Sequence, residues 1–197
     1  MKKMFKISSL VIVILFITGC THKIEMTPNV EKITDSVSIY NTKNYNVAYN
    51  IKRYDQASYV VTPGGGGDKV GYTPYADTEL AFRSVLVKIF KKVYKLDSIS
   101  NKKFISEKDI KYIFTYNLKT NSSSDSMMTW PPTKFTISLN CKAIDNNGKN
   151  IWEKTFYDEG TASFDEFKND FSLSAKRASE KVFSKMLIEI NNSKDFD

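Results

Sequence analysis

The side chains in this 197-residue sequence that could do chemistry are two cysteines, one histidine, paired carboxylates and a run of glycines. Cys20 and Cys141 are thiols, able to attack an electrophile, pair in a disulfide or carry a covalent group. His22 could act as a general base or a metal ligand. It stands two residues after Cys20, so a metal site or Ser–His pair there would need the body to fold over that segment. Asp158-Glu159 and Asp165-Glu166 are paired acids, the raw material of general acid–base work. They fall at a strand end and a helix start, and charge complementing a helix N-terminus explains the second pair. Gly64 to Gly67 invite comparison with a phosphate loop. Asp68, Lys69 and Val70 follow, where that loop needs a lysine and a hydroxyl residue directly after its last glycine. The glycines read as a flexible turn. Catalysis finds little material, and the chain is read as a non-enzyme with no cofactor and no metal site.

Cys20 gains its meaning from what precedes it. The sequence Met1-Lys2-Lys3-Met4-Phe5-Lys6 leads into an apolar stretch over residues 10–17, then Thr18, Gly19 and Cys20. A basic start, a short apolar stretch and a small-residue cleavage site make a secretory signal peptide, too short to span a bilayer. Ile17-Thr18-Gly19-Cys20 resembles the bacterial lipobox. That resemblance implies removal of residues 1–19, a diacylglyceryl thioether on Cys20 and an acylated new N-terminus. Each buried methylene contributes about 0.8 kcal/mol, so one chain binds marginally and two or three anchor for practical purposes permanently. Thr21 and His22 follow the cysteine. The absence of aspartate there implies, by the same resemblance, transport to the outer membrane with the body facing the periplasm.

The mature chain of about 178 residues is long enough for one domain with a real core. Losing Lys2, Lys3 and Lys6 takes the basic residues from 29 to 26 against 22 acidic ones, a net charge of about +4 rather than +7. With no arginine-rich stripe or dense basic run, nucleic acid is not expected as a partner. Mild positive charge would suit weak attraction to anionic headgroups or cell-wall polymers, but an ordinary solvated surface explains it better. If Cys20 carries lipid, Cys141 has no partner in an oxidising compartment. It falls in the alternation Phe135, Ile137, Leu139, Cys141, Ala143 and reads as a buried, inert thiol.

Residues 20–35 read as a lipidated tether, able to reach about 50 Å when extended. Residues 36–192 read as a single α+β domain and residues 193–197 as a polar tail. Residues 36–40 alternate as a half-buried strand, 41–50 as an asparagine-rich loop or weak edge, and 57–61 as a second strand. Asp77 or Thr78 can cap a helix running to Leu96, with Phe82, Val85, Leu86, Ile89, Val93 and Leu96 on one face. Residues 111–118 are aromatic and alternating. A serine-rich loop over 121–126 leads to Met127, Met128, Trp130, Pro131 and Pro132. Residues 133–144 and 151–157 form an antiparallel hairpin around the turn Asp145-Asn146-Asn147-Gly148-Lys149. A long helix over 164–191 carries the stripe Phe167, Phe171, Ala175, Ala178, Val182, Met186 and Ile190. The order gives a two-layer sandwich, a mainly antiparallel sheet covered by two amphipathic helices.

The lipobox, the segment Lys23-Ile24-Glu25-Met26-Thr27-Pro28, the strand at 36–40, one amphipathic helix, the strand over 109–118, the hairpin and the terminal helix follow one another in a familiar order. The whole resembles the YajG-type lipoproteins of Gram-negative bacteria, and more loosely the periplasmic α/β lipoproteins that accompany transporters, secretion pores and cell-wall synthases. The resemblance implies a non-catalytic accessory or assembly subunit of a cell-envelope complex, with the membrane as one partner and an envelope protein as another. Self-association is compatible with the same reading. The alternative is a periplasmic carrier of a small or lipidic ligand, which would need a concave apolar pocket. Met127, Met128, Trp130, Pro131 and Pro132 are the candidate partner contacts: two prolines stiffen the loop, and tryptophan and methionine are enriched in interfaces. Trp130 folding back to cap the sheet end is the competing reading.

Overall fold

The computed structural model describes residues 19–39 and 42–197. The expected signal peptide, except Gly19, lies outside the described residues. Two sheets and a helical layer make an α+β fold. The core strands come from the most strongly alternating part of the sequence. Strands β6 (Ile110–Ser123), β7 (Lys134–Asp145) and β8 (Asn150–Thr161), numbered in chain order, pair antiparallel through long ladders. Phe135, Ile137, Leu139, Cys141 and Ala143 all point into the core. Strand β2 (Lys43–Tyr49) adds parallel to β6, and β5 (Phe90–Lys95) parallel to β2, completing the order β5-β2-β6-β7-β8.

Two of these strands differ from expectation. Residues 43–49 of the expected loop or weak edge supply β2, an interior strand between β5 and β6, and residues 36–39 of the expected strand form none. Val47, Ala48 and Tyr49 are buried, and two ladders plus the Asn46 side-chain bond to Lys108 O outweigh the poor strand propensity of the asparagines. Helix α3 (Pro74–Ile89) starts earlier than expected because Pro74 fits the first helical turn, where no N–H is needed. It ends at Ile89, and the chain turns directly into β5 at Phe90. Val93 continued the helical spacing, but pairing with Val47 of β2 claims it, and Leu96, just past β5, donates its N–H to Tyr49 O.

The helical layer covers one face. Helix α6 (Leu173–Asn192) buries Ala175, Ala178, Val182, Phe183, Met186, Leu187 and Ile190. Its close approach to β8 depends on Gly160, where a β-carbon would meet Ser174 O at 2.0 Å. Arg177, Lys181 and Lys185 reach from α6 to the carbonyls of Thr161, Glu159 and Tyr157 on β8. Those acceptors belong to the edge of the sheet, and cationic cover there blocks pairing with another chain. The expected single helix over 164–191 is two: α5 (Phe164–Phe167), then α6 after a turn at Asn169 and Asp170, whose carboxylate accepts from Ser172 N. The break leaves Phe171 half exposed instead of facing the sheet.

Both termini of the domain contradict the sequence reading. Residues 21–35 are not a free tether. Strand β1 (Thr21–Lys23) pairs parallel with β4 (Lys69–Tyr72), which pairs antiparallel with β3 (Val60–Pro63). Ile24, Met26 and Ile33 are fully buried, and helix α1 (Val30–Thr34) lies against α3 and α6. Burying side chains of this size is worth about 1.5–3 kcal/mol each, enough to hold the segment down. The polar tail is likewise docked: a 3-10 turn, Lys194–Phe196, places Phe196 among Phe90, Tyr112, Phe114 and Trp152. Two short helices remain, α2 (Arg53–Gln56) and α4 (Lys102–Glu107); Ile105 of α4 joins Ala48, Leu96, Ile110 and Ile113 in a small second cluster.

Candidate functional site

The glycine run and the methionine loop, far apart in sequence, meet at one end of the molecule. Gly64 to Gly67 turn β3 into β4. Gly65 N donates to Trp130 O (2.9 Å) and Gly66 N to Ser126 O (3.2 Å). Ser126 Oγ accepts from the amides of Met128 and Thr129, closing the loop on itself. The glycine amides bind carbonyls of a neighbouring loop rather than a phosphate. A β-carbon at Gly65 would meet Thr129 O at 1.9 Å, so the approach requires glycine.

Strand β1 lays residues 20–23 along the same loops. Cys20 N donates to Asp68 Oδ1 (2.8 Å), and Cys20 O accepts from Lys69 N. His22 Nε2 donates to Asp68 Oδ2 (2.9 Å). The His22 hydrogen bond is the main reason the Asp68 carboxyl lies below the ordinary aspartate value; desolvation opposes it, and the Cys20 amide adds to it. The His22 ring stacks on Trp130 with centroids 4.2 Å apart and planes 13° from parallel, and Phe171 covers Trp130 from another side at 4.9 Å. Cys20 itself is exposed.

Of the candidate contact residues, Met127 and Met128 stand out in solvent, Trp130 is half buried, and Pro131 and Pro132 are buried. The two prolines are therefore withdrawn as surface contacts: Pro132 O accepts from buried Ser174 Oγ, tying the loop to α6. Trp130 folds back as a cap, sandwiched between His22 and Phe171. Phe164 and Phe171 join the methionines at the surface. Together they line an open groove of about 430 Å³ with Gly65, Gly66 and Lys168. Of the other residues at this end, sequence alone sets His22 in a tether and Phe171 on a core stripe, and gives Asp68 and Phe164 no part in a site. A signal for the first was present, since Ile24, Met26 and Pro28 alternate with exposed neighbours as a strand should.

The other chemistry-bearing side chains have structural partners. Cys141 is fully buried, and burial pushes its thiol far above the ordinary range. Asp158 pairs with Lys185 and Glu159 with Lys134. Glu166 completes a capping box with Ser163 and binds Arg177, and these contacts, Arg177 first, lower its carboxyl to about 2. Among the described residues no group of three His, Cys, Asp or Glu side chains is placed to hold a metal, and no helix is long and apolar enough to cross a membrane.

These features define an α+β protein with an exposed apolar end beside Cys20, and no family profile or curated protein matches the sequence. Among solved structures the chain is similar to protein XCC0632 from Xanthomonas campestris, of the DUF330 family, at 11% identity and TM-score 0.43, over 85% of this chain and 94% of that one. It is also similar to a single-residue variant of PelC, a dodecamer from Paraburkholderia phytofirmans, at 13% identity and TM-score 0.42, over 77% and 91% of the two chains.

Proposed function

We propose that the protein is a lipid-anchored periplasmic lipoprotein, attached through Cys20 to the outer membrane, that serves by contact as an accessory or assembly subunit of a cell-envelope complex. The observation that carries the reading is the setting of Cys20. Its thiol is exposed at the surface of the body, while its amide and carbonyl are fixed by Asp68 and Lys69. A residue so placed is open to modification and holds whatever it carries against one end of the fold. The lipobox sequence supports the same reading. His22 and Asp68 meet beside Cys20, where Asp68 holds the Cys20 amide and the His22 ring stacks on Trp130, while Cys141 is buried and the other paired carboxylates bind lysines or cap a helix; a contact role asks no chemistry of them. A carrier role would ask for an enclosed apolar cavity, whereas the groove beside Trp130 is open to solvent.

Intact-mass spectrometry of the protein from its native host tests the anchor. The expected mass is that of residues 20–197 plus a diacylglyceryl group and an N-acyl chain, and Cys20→Ser should yield an unacylated precursor or a soluble form. An unmodified N-terminus at Cys20 would overturn the reading. Recovery mainly with the inner membrane would overturn its outer-membrane part alone.

A further inference from the structure

Four large exposed apolar side chains meet where the chain would enter the membrane. Met127, Met128, Phe164 and Phe171 are 88, 93, 59 and 48% exposed, and all four line the groove around Trp130. Asp68 lines that groove and also binds the Cys20 amide, so the patch begins one hydrogen bond from the lipid attachment point. The position of Gly19 sharpens the point. A peptide carbonyl and methylene before Cys20 N have the same shape as the carbonyl and first methylene of an N-acyl chain. Gly19 therefore marks where that chain would start, against Gly67 O in a space with no room for a side chain: a β-carbon there would lie 2.2 Å from Gly67 O. Because β1 begins at Thr21 and is paired to β4, no slack separates the anchor from the body. Lys168 also lines the groove, its ammonium paired with Asp165, and Lys69 follows Asp68 in the chain.

We propose that Met127, Met128, Phe164 and Phe171, braced by Trp130, form a knob that seats in the phospholipid surface entered by the acyl chains of Cys20, fixing the body in one orientation. This rests on the lipid-anchor reading above. The knob is rigid where seating needs it: the glycine loop, the prolines and Ser174 hold the methionine loop from behind.

The two tryptophans, Trp130 and Trp152, provide a ruler. Trp152 is buried eight residues along β8 from Gly160, the partner of Phe135 near the knob, a separation of roughly 26 Å at about 3.3 Å per residue. The lipidated protein is reconstituted in vesicles of anionic phospholipid with bromine on the acyl chains near the headgroup, and fluorescence is read from Trp152→Phe and Trp130→Phe variants. The expected result is quenching of Trp130 several-fold stronger than that of Trp152, reduced by at least half when Met127→Asp and Met128→Asp are introduced together. Both methionines are exposed, and a thermal melt of the double variant verifies that the fold persists. Equal quenching of the two tryptophans, or quenching of Trp130 unchanged by the double variant, would overturn the proposal. So would a photocrosslinker at Met128 that captures protein in the native envelope and no lipid. Failure of the anchor reading shows separately, in the intact mass. Should Cys20 prove unmodified, the same vesicles and the unmodified chain decide: quenching of Trp130 over Trp152 supports the knob, and none overturns it.

Discussion

Gly65 offers a one-atom test of how the site is built. Its missing β-carbon would sit 1.9 Å from Thr129 O and 2.9 Å from Ser126 O, both backbone atoms that cannot swing aside. Gly65→Ala should push the two loops apart and cost about 1–3 kcal/mol, as overpacking does. Urea unfolding measures the loss, and a red shift of Trp130 emission should accompany it; unchanged stability would mean that the loops are not in contact. Asp68 gives a pH test. Its folded pKa is depressed, chiefly by His22, so its contribution is complete above the ordinary value of 3.8 and is lost as the pH falls through the folded value. The stability gap between wild type and Asp68→Asn should therefore be open at neutral pH and close in acid below 3.8. A gap that stays open throughout acid titration would show that the carboxylate does not hold β1 by its charge. At this scale the sequence was informative about identity and silent about partners. Cys20 announces itself through its neighbours, and the glycines announce a turn. That the turn receives the carbonyls of a loop some sixty residues away is a non-local fact that no spacing encodes.

Phe171 and Phe196 exchange the roles that periodicity assigns them. Phe171 continues the stripe of the terminal helix, yet the turn at Asn169 and Asp170 resets the phase and leaves the ring half exposed over Trp130. Phe196 stands in a polar, charged stretch, yet it is fully buried against Phe90, Phe114 and Trp152. Phe196→Ala should cost about 3–5 kcal/mol, while Phe171→Ala should stay under about 1 kcal/mol. Chemical denaturation of the two variants measures both, and the reverse order would mean that the C-terminal turn is not docked. Elements with strong local alternation, β6 to β8 and the body of α6, were legible for that reason. The ends were not, because two or three apolar residues among polar ones have no period. Strand β2 was missed for a related cause: its burial is decided by strands that pair on both sides of it.

For the whole molecule, the docked N-terminal segment changes what an anchor does. A free tether of residues 21–35 would let the body roam tens of ångströms from the bilayer, whereas β1 pairing and buried Ile24, Met26 and Ile33 leave no such reach. If the groove end seats at the membrane as proposed, the polar face of β6 and β7, away from the face that α3 and α6 cover, is left for a partner. Thr115, Asn117, Asn140 and Lys142 line a second groove there, of about 380 Å³. An accessory subunit held rigidly would present that face to its complex at a fixed height. Inserting about twelve Gly/Ser residues between Cys20 and Thr21 adds an r.m.s. reach of roughly 20 Å and frees the orientation without touching the lipid. On the proposed outer-membrane anchoring, the inserted variant and the wild type should both fractionate with that membrane. A photocrosslinker at Asn117 should capture an envelope protein in the wild type and lose most of that product in the variant. Capture unchanged by the insert would mean that the partner binds wherever the body floats, so that fixed orientation plays no part. No protein product at Asn117 in either form would rule this face out as the contact surface.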